Sequence, residues 1–129
     1  MNAVLLDTHA WAWSPISADY LSEAAIGAIS EADSILVSPV SFFEIGQKVR
    51  IGKWPAMAPW VDQLNDVLER QNGGVLELGP EICLCAALMD WSHRDRFDRL
   101  LAATALSASI PLVSADGIFD TLPDLTRIW

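Results

Sequence analysis

Short aliphatic runs separated by helix-length segments constrain this chain more than any other feature. Asn2 to Leu6, Ser34 to Val37, Val75 to Leu78 and Ile110 to Val113 each have the length and content of a buried strand, and Thr126 to Trp129 is a final extended piece. Parallel neighbours need long crossovers, usually helical, so the alternation implies an α/β fold with a mainly parallel central sheet flanked by helices on both faces. In such sheets ligands bind beyond the carboxyl ends of the strands. Asp7 and Asp116 both stand at such ends.

The segments between the runs read as helices. Thr8 to Trp13 begins a short one that Ser14-Pro15 should break, and Ser22 is a candidate N-cap for the run through Ala24, Ala25, Ile26 and Ile29. Ser38-Pro39 is a strong start, because the hydroxyl caps free N–H groups and proline has none to leave unsatisfied. The helix it opens carries Ser41, Glu44, Ile45 and Lys48 along one side, and Gly52 ends it. Pro59 opens a pattern through Trp60, Val61, Leu64, Val67 and Leu68 that Asn72-Gly73-Gly74 stops, and Pro80 begins a helix through Ile82, Leu84, Ala87 and Leu88. The last helix runs to about Ser109. Its apolar residues fill buried faces, and its charges lie at the front, with Asp95 as N-cap and Asp98 in the first turn, where the helix dipole favours a carboxylate.

No repeat or low-complexity tract divides the chain, and the loop Gly52 to Pro59 is the only candidate hinge, so residues 1–129 read as one domain. Hydrophobic residues make up 52% and charged residues 19%, which argues against disorder, and no apolar run approaches the roughly 18 residues of a membrane span. A soluble, cytoplasmic protein is expected, since the first residues carry no signal segment. Cys83 and Cys85 suit neither a disulfide nor a zinc site and are expected as small core residues. The six tryptophans invite a nucleic-acid reading, since bases stack on aromatic rings, but Trp60 and Trp91 fall in helical apolar patterns, where core or interface burial is the favoured expectation. Trp11, Trp13 and Trp54 are candidates for a hydrophobic surface fitting a dimer partner or a docked helix.

With 17 acidic against 8 basic residues the formal net charge is −9. Such a charge repels nucleic acid unless cations or a local basic patch intervene. Lys48, Arg50 and Lys53 form one basic group, and Arg94, Arg96 and Arg99 another. No glycine-rich phosphate loop, dinucleotide fingerprint or Gly-x-Ser-x-Gly elbow is present, and His9 and His93 lack the spacing of a local metal motif. What remains is carboxylates. Asp7, Glu44, Asp98 and Asp116 come from four segments, and brought together they would repel one another unless a cation were bound. Mg2+ or Mn2+ suits such oxygen ligands, and ions of this kind activate water for in-line displacement at phosphorus. Each acid also has a purely structural use: Asp7 and Asp116 as turn residues, Glu44 as a partner of Lys48, Asp98 as a capping residue paired with nearby arginines.

Leu5-Leu6-Asp7-Thr8-His9-Ala10-Trp11, Ser38-Pro39-Val40-Ser41-Phe42-Phe43-Glu44-Ile45, Asp95-Arg96-Phe97-Asp98-Arg99-Leu100-Leu101-Ala102-Ala103 and Leu112-Val113-Ser114-Ala115-Asp116 resemble, in order, the four signature blocks of PIN-domain proteins. The likeness is strongest to VapC-type toxins of toxin-antitoxin pairs. It implies a three-layer α/β/α PIN-like domain and a metal-dependent endoribonuclease, using Mg2+ or Mn2+ to hydrolyse RNA, commonly tRNA or ribosomal RNA, leaving a 5′-phosphate and a 3′-hydroxyl. By the same resemblance Asp7, Glu44, Asp98 and Asp116 are the catalytic and metal-binding acids, with Ser114 in support and Asp95 as the cap that fixes Asp98. It also implies a homodimer and a small antitoxin protein that blocks the site. Arg96 departs from the family, which often has proline there; the change should weaken the helix cap and leave the acids in place, and it leaves open a supporting role in which Arg96 contacts RNA or Glu44. Two other readings stand beside this one: a non-catalytic PIN-like regulator that holds RNA or a protein without cutting, and a structure-specific DNA nuclease of the same fold.

Overall fold

In the computed structural model, which describes residues 2–129, the strands are β1 (Ala3–Leu6), β2 (Ser34–Val37), β3 (Gly73–Val75), β4 (Leu112–Val113) and β5 (Arg127–Ile128). They form one sheet in the order β3-β2-β1-β4-β5 with every pairing parallel. β1 is central, in register with β2 from Ala3↔Ser34 to Leu5↔Leu36 and with β4 at Leu5↔Leu112 and Leu6↔Val113. The expected mainly parallel sheet is thus parallel throughout.

The helices are α1 (Thr8–Ile16), α2 (Glu23–Glu31), α3 (Pro39–Arg50), α4 (Leu64–Arg70), α5 (Pro80–Leu88) and α6 (Arg96–Ala108), with short 3-10 turns between some of them. Side chains alternate across a strand, and the core divides accordingly. Val4, Leu6 and Val113 point to a cluster with Trp11 of α1, Ala25 of α2 and Leu64 and Leu68 of α4; Leu5 and Leu112 point to another with Leu101, Ala102 and Ala105 of α6. Helices therefore cover both faces, and α5 packs on α6. Leu5, Leu6 and Leu112 are completely buried, each contributing roughly 1.5–3 kcal/mol relative to exposure. Among the described residues no helix is long and apolar enough to cross a membrane.

Several local expectations are corrected. Helix α1 does not break at Pro15 but continues to Ile16. Proline cannot donate to the Trp11 carbonyl, and the Ser14 hydroxyl takes that carbonyl instead, at 2.8 Å. The pattern opened by Pro59 is split into a 3-10 turn over Pro55–Trp60 and α4. β3 starts two residues before the expected Val75, because Gly73 and Gly74 carry the pairing with Ile35 and Leu36, and a Cβ on Gly73 would strike Leu68. Cys83 and Cys85 are exposed, since α5 fully buries only Ala86. Trp11 is core rather than surface at 1% exposure, and Trp91 lies in the loop between α5 and α6, where its ring nitrogen donates to Thr121.

Candidate active site

The carboxyl edge of the sheet gathers the four acids. Asp7 follows β1 and caps α1: its Oδ1 accepts from Ala10 N at 2.8 Å, while its own N–H donates to Val113 O and ties it to β4. Burial pushes the Asp7 carboxyl above the usual range, the Ser114 hydroxyl, the Ala10 N–H and His9 pull it down, and Glu44 adds to the rise. Ser114, fully buried just after β4, also accepts from Asp116 N at 3.1 Å. Asp116 is exposed and caps the next 3-10 turn through Ile118 N.

Glu44 reaches the same place from α3. Thr8 Oγ1 donates to Glu44 Oε1 at 2.7 Å and lies 2.9 Å from Ser41 Oγ. A hydroxyl has one proton, so with Thr8's proton on Glu44, Ser41 is the donor to Thr8. Lys48 Nζ binds Glu44 Oε2 at 2.7 Å, the i,i+4 pair expected from the sequence. Glu44, Thr8 and Ser41 are all buried, and this chain of hydroxyls fixes the carboxylate from below while the ammonium holds it from one side.

Asp98 comes from the first turn of α6. Asp95 caps that helix by accepting from Asp98 N at 3.0 Å, so the cap forms with Arg96 in the usual proline position. The Asp98 carboxyl is pushed up by burial and drawn down by His93, whose Nε2 donates to Asp98 Oδ2 at 2.7 Å, while Asp95 and Asp116 push it further up. The segment carrying His93 is clamped by Arg99. Its guanidinium donates to the carbonyls of Ala86, Ala87, Met89, Trp91 and His93, closing the end of α5 onto α6. Arg99 therefore pairs with carbonyl oxygens, not with the nearby aspartates. Arg96 is exposed and lines a separate depression with Arg94 and Arg99, away from Glu44, whose partners are Thr8 and Lys48.

Asp7, Glu44, Asp98 and Asp116 line one open cavity of about 520 Å³, joined by Asp95, Thr8, His9 and Trp13. No lysine or arginine lines it. Among the described residues, no three carboxylate, imidazole or thiol groups stand close enough together to hold a metal ion between them without water. A wide ring of oxygen donors with excess negative charge suits Mg2+, which keeps several waters and takes one or two carboxylates directly. The donor set fits such an ion.

Thr8, Ser41, His93 and Arg99 are the site residues whose roles sequence reasoning missed. Ser41, Glu44 and Lys48 were visible as one helix side, but that Thr8 completes it depends on α1 crossing α3. Nothing in the spacing of His93 and Asp98 separates a carboxylate partner from an ordinary histidine.

A PIN-domain family profile matches residues 4–125. Ribonuclease VapC22 of Mycobacterium tuberculosis (strain ATCC 25618 / H37Rv) is 31% identical over 120 residues, covering 90% of this chain and 88% of that one. VapBC2 from Rickettsia felis, solved bound to a DNA fragment from its promoter, superposes with a TM-score of 0.67 at 13% identity, covering 97% of this chain and 96% of the other. FitAcB from Neisseria gonorrhoeae superposes with a TM-score of 0.59 at 16% identity, covering 96% and 95%. These two likenesses concern the fold.

Proposed function

This chain belongs to the PIN-domain family, and on that premise we propose that it is the toxin of a toxin-antitoxin pair, a metal-dependent endoribonuclease that hydrolyses tRNA or ribosomal RNA. The observation that carries the reading is the cavity at the sheet's carboxyl edge, which four acids from four segments line together and which no lysine or arginine lines. Asp7, Glu44, Asp98 and Asp116 would hold Mg2+ or Mn2+, and when bound there the ion supplies countercharge and the polarisation that activates water toward phosphorus. Asp7 presents a carboxylate from the buried side, oriented by Ala10 N–H and Ser114. Thr8 and Lys48 hold Glu44, and His93 holds Asp98, so these acids keep their orientation before substrate arrives.

A small antitoxin that covers this edge is the proposed regulator, a reading supported by solved neighbours that are toxin-antitoxin proteins. A homodimer is proposed as the working form; Phe43, Leu84 and Leu88 are 61%, 62% and 79% exposed and offer apolar surface for a contact. Incubating the purified chain with total RNA tests the activity. Cleavage should require Mg2+ or Mn2+, stop with EDTA, leave 5′-phosphate ends, and fall at least about 100-fold in Asp98→Asn. Cleavage that survives EDTA, or is unchanged in Asp98→Asn, would overturn the reading.

A further inference from the structure

The acid cavity does not end at His9 and Trp13. The same two side chains also line a second cavity of about 330 Å³, walled further by Tyr20 and Trp54 with Ile16 and Met57. Its aromatic rings form a connected set: His9 stacks on Trp54 at 4.6 Å and 25°, and Trp13 lies 5.5 Å from both His9 and Tyr20. No carboxylate, lysine or arginine lines this space. Lys48 lines neither space but ties a wall residue of each to the other, since its Nζ is bonded to Glu44 and lies 5.6 Å from the centre of the Trp54 ring.

One compartment is rich in oxygen and calls for a cation; its neighbour is lined by aromatic and aliphatic side chains with no acid, lysine or arginine. A nucleotide has the same division between phosphate and base. We infer that the cavity between Trp13, Tyr20 and Trp54 is a base-stacking subsite that receives the nucleobase next to the phosphate held at the acids. This inference rests on the ribonuclease reading above. Charge offers an independent reason to need such a subsite: at a formal net charge of −9 the chain cannot attract RNA by overall electrostatics. Stacking on aromatic rings is independent of that charge and accepts any base. Tyr20 is the accessible platform, 66% exposed with its ring against Trp13.

The test uses a short single-stranded RNA carrying the fluorescent base 2-aminopurine, bound in Mg2+ to the full chain with Asp98→Asn as background so that binding is read without cutting. The parent should quench the probe. Tyr20→Ala and Trp54→Ala should each weaken binding about tenfold and relieve the quenching, and Trp54→Phe should restore most of both. In the cleavage-competent chain the same substitutions should raise KM by a similar factor and leave kcat within about twofold. Tyr20 is exposed, so its variant tests the idea even if Trp54→Ala fails to fold. Unchanged affinity and quenching in Tyr20→Ala would overturn the subsite, whether or not Trp54→Ala folds. So would variants that bind RNA as the parent does but lose a co-expressed partner protein, because the cavity would then be a protein-docking surface. Quenching that depends on Tyr20 in a chain that cleaves no RNA would support the subsite while sinking the ribonuclease reading.

Discussion

The two halves of the acid cavity are built differently. On one side Asp7 and Glu44 stand on a strand end and a central helix, with Thr8, Ser41 and Ser114 buried beneath them and at or near zero exposure. On the other, Asp98 and Asp116 sit at helix starts near solvent, held by caps, by His93 and by a loop that one arginine clamps. The first half is positioned by the core and cannot move without disturbing the sheet. The second depends on hydrogen bonds made by a few surface-facing groups. Both halves hold their carboxylates in place, the inner one through buried hydroxyls and the outer one through hydrogen bonds close to water.

Substitutions should separate the halves. The largest effect is expected from Arg99→Met, which removes donors from five carbonyls at once. Charge-assisted hydrogen bonds are worth roughly 1.5–3 kcal/mol each, and some of these carbonyls can turn to water, so a loss of about 3 kcal/mol is expected. For a chain of this size that lowers Tm by roughly ten degrees, readable by circular dichroism. A Tm within about two degrees of the parent would mean that the outer half does not lean on this clamp. Next comes Thr8→Val, which keeps the shape but strips Glu44 Oε1 of its buried donor. Cleavage should fall about 10- to 100-fold, the usual cost of losing an orienting partner. His93→Ala should cost about tenfold or less, because Asp98 lies nearer to solvent and water can replace the imidazole. If His93→Ala proves the more damaging of the two, the assignment of inner and outer halves is reversed.

The strand-end positions of Asp7 and Asp116 were legible in the sequence because the alternation of strands and helices implies a parallel sheet, and Ser38-Pro39 announced α3 because cap and proline chemistry is local. Asp95 was likewise legible as the cap, since its bond to Asp98 N spans only three residues. What was not legible depends on contacts distant in sequence. Thr8 meets Ser41 across 33 residues, and Arg99 reaches back 13 residues to Ala86 O. Trp11 and the two cysteines were misjudged for a related reason. Hydrophobic pattern says that a residue is apolar, but which side of a helix is covered is decided by what packs there, and α5 is covered only along Ala86. Pro15 shows a local compensation, the Ser14 hydroxyl, that propensity alone does not count.

Heat stability with and without metal tests the central claim most directly. Asp7 has a folded-state pKa raised mainly by desolvation, so it favours folding below its unfolded value near 4, and that contribution is lost as pH rises through the raised value. At neutral pH in EDTA, Asp7→Asn should therefore be at least as stable as the wild type, since the amide oxygen can still accept from Ala10 N and no charge is buried. Adding Mn2+ should raise the Tm of the wild type by several degrees and barely move that of Asp7→Asn, as expected when an ion binds only the folded chain at that carboxylate. Equal Mn2+ shifts in the two proteins, or none in either, would contradict the assignment of this cavity as a divalent-metal site.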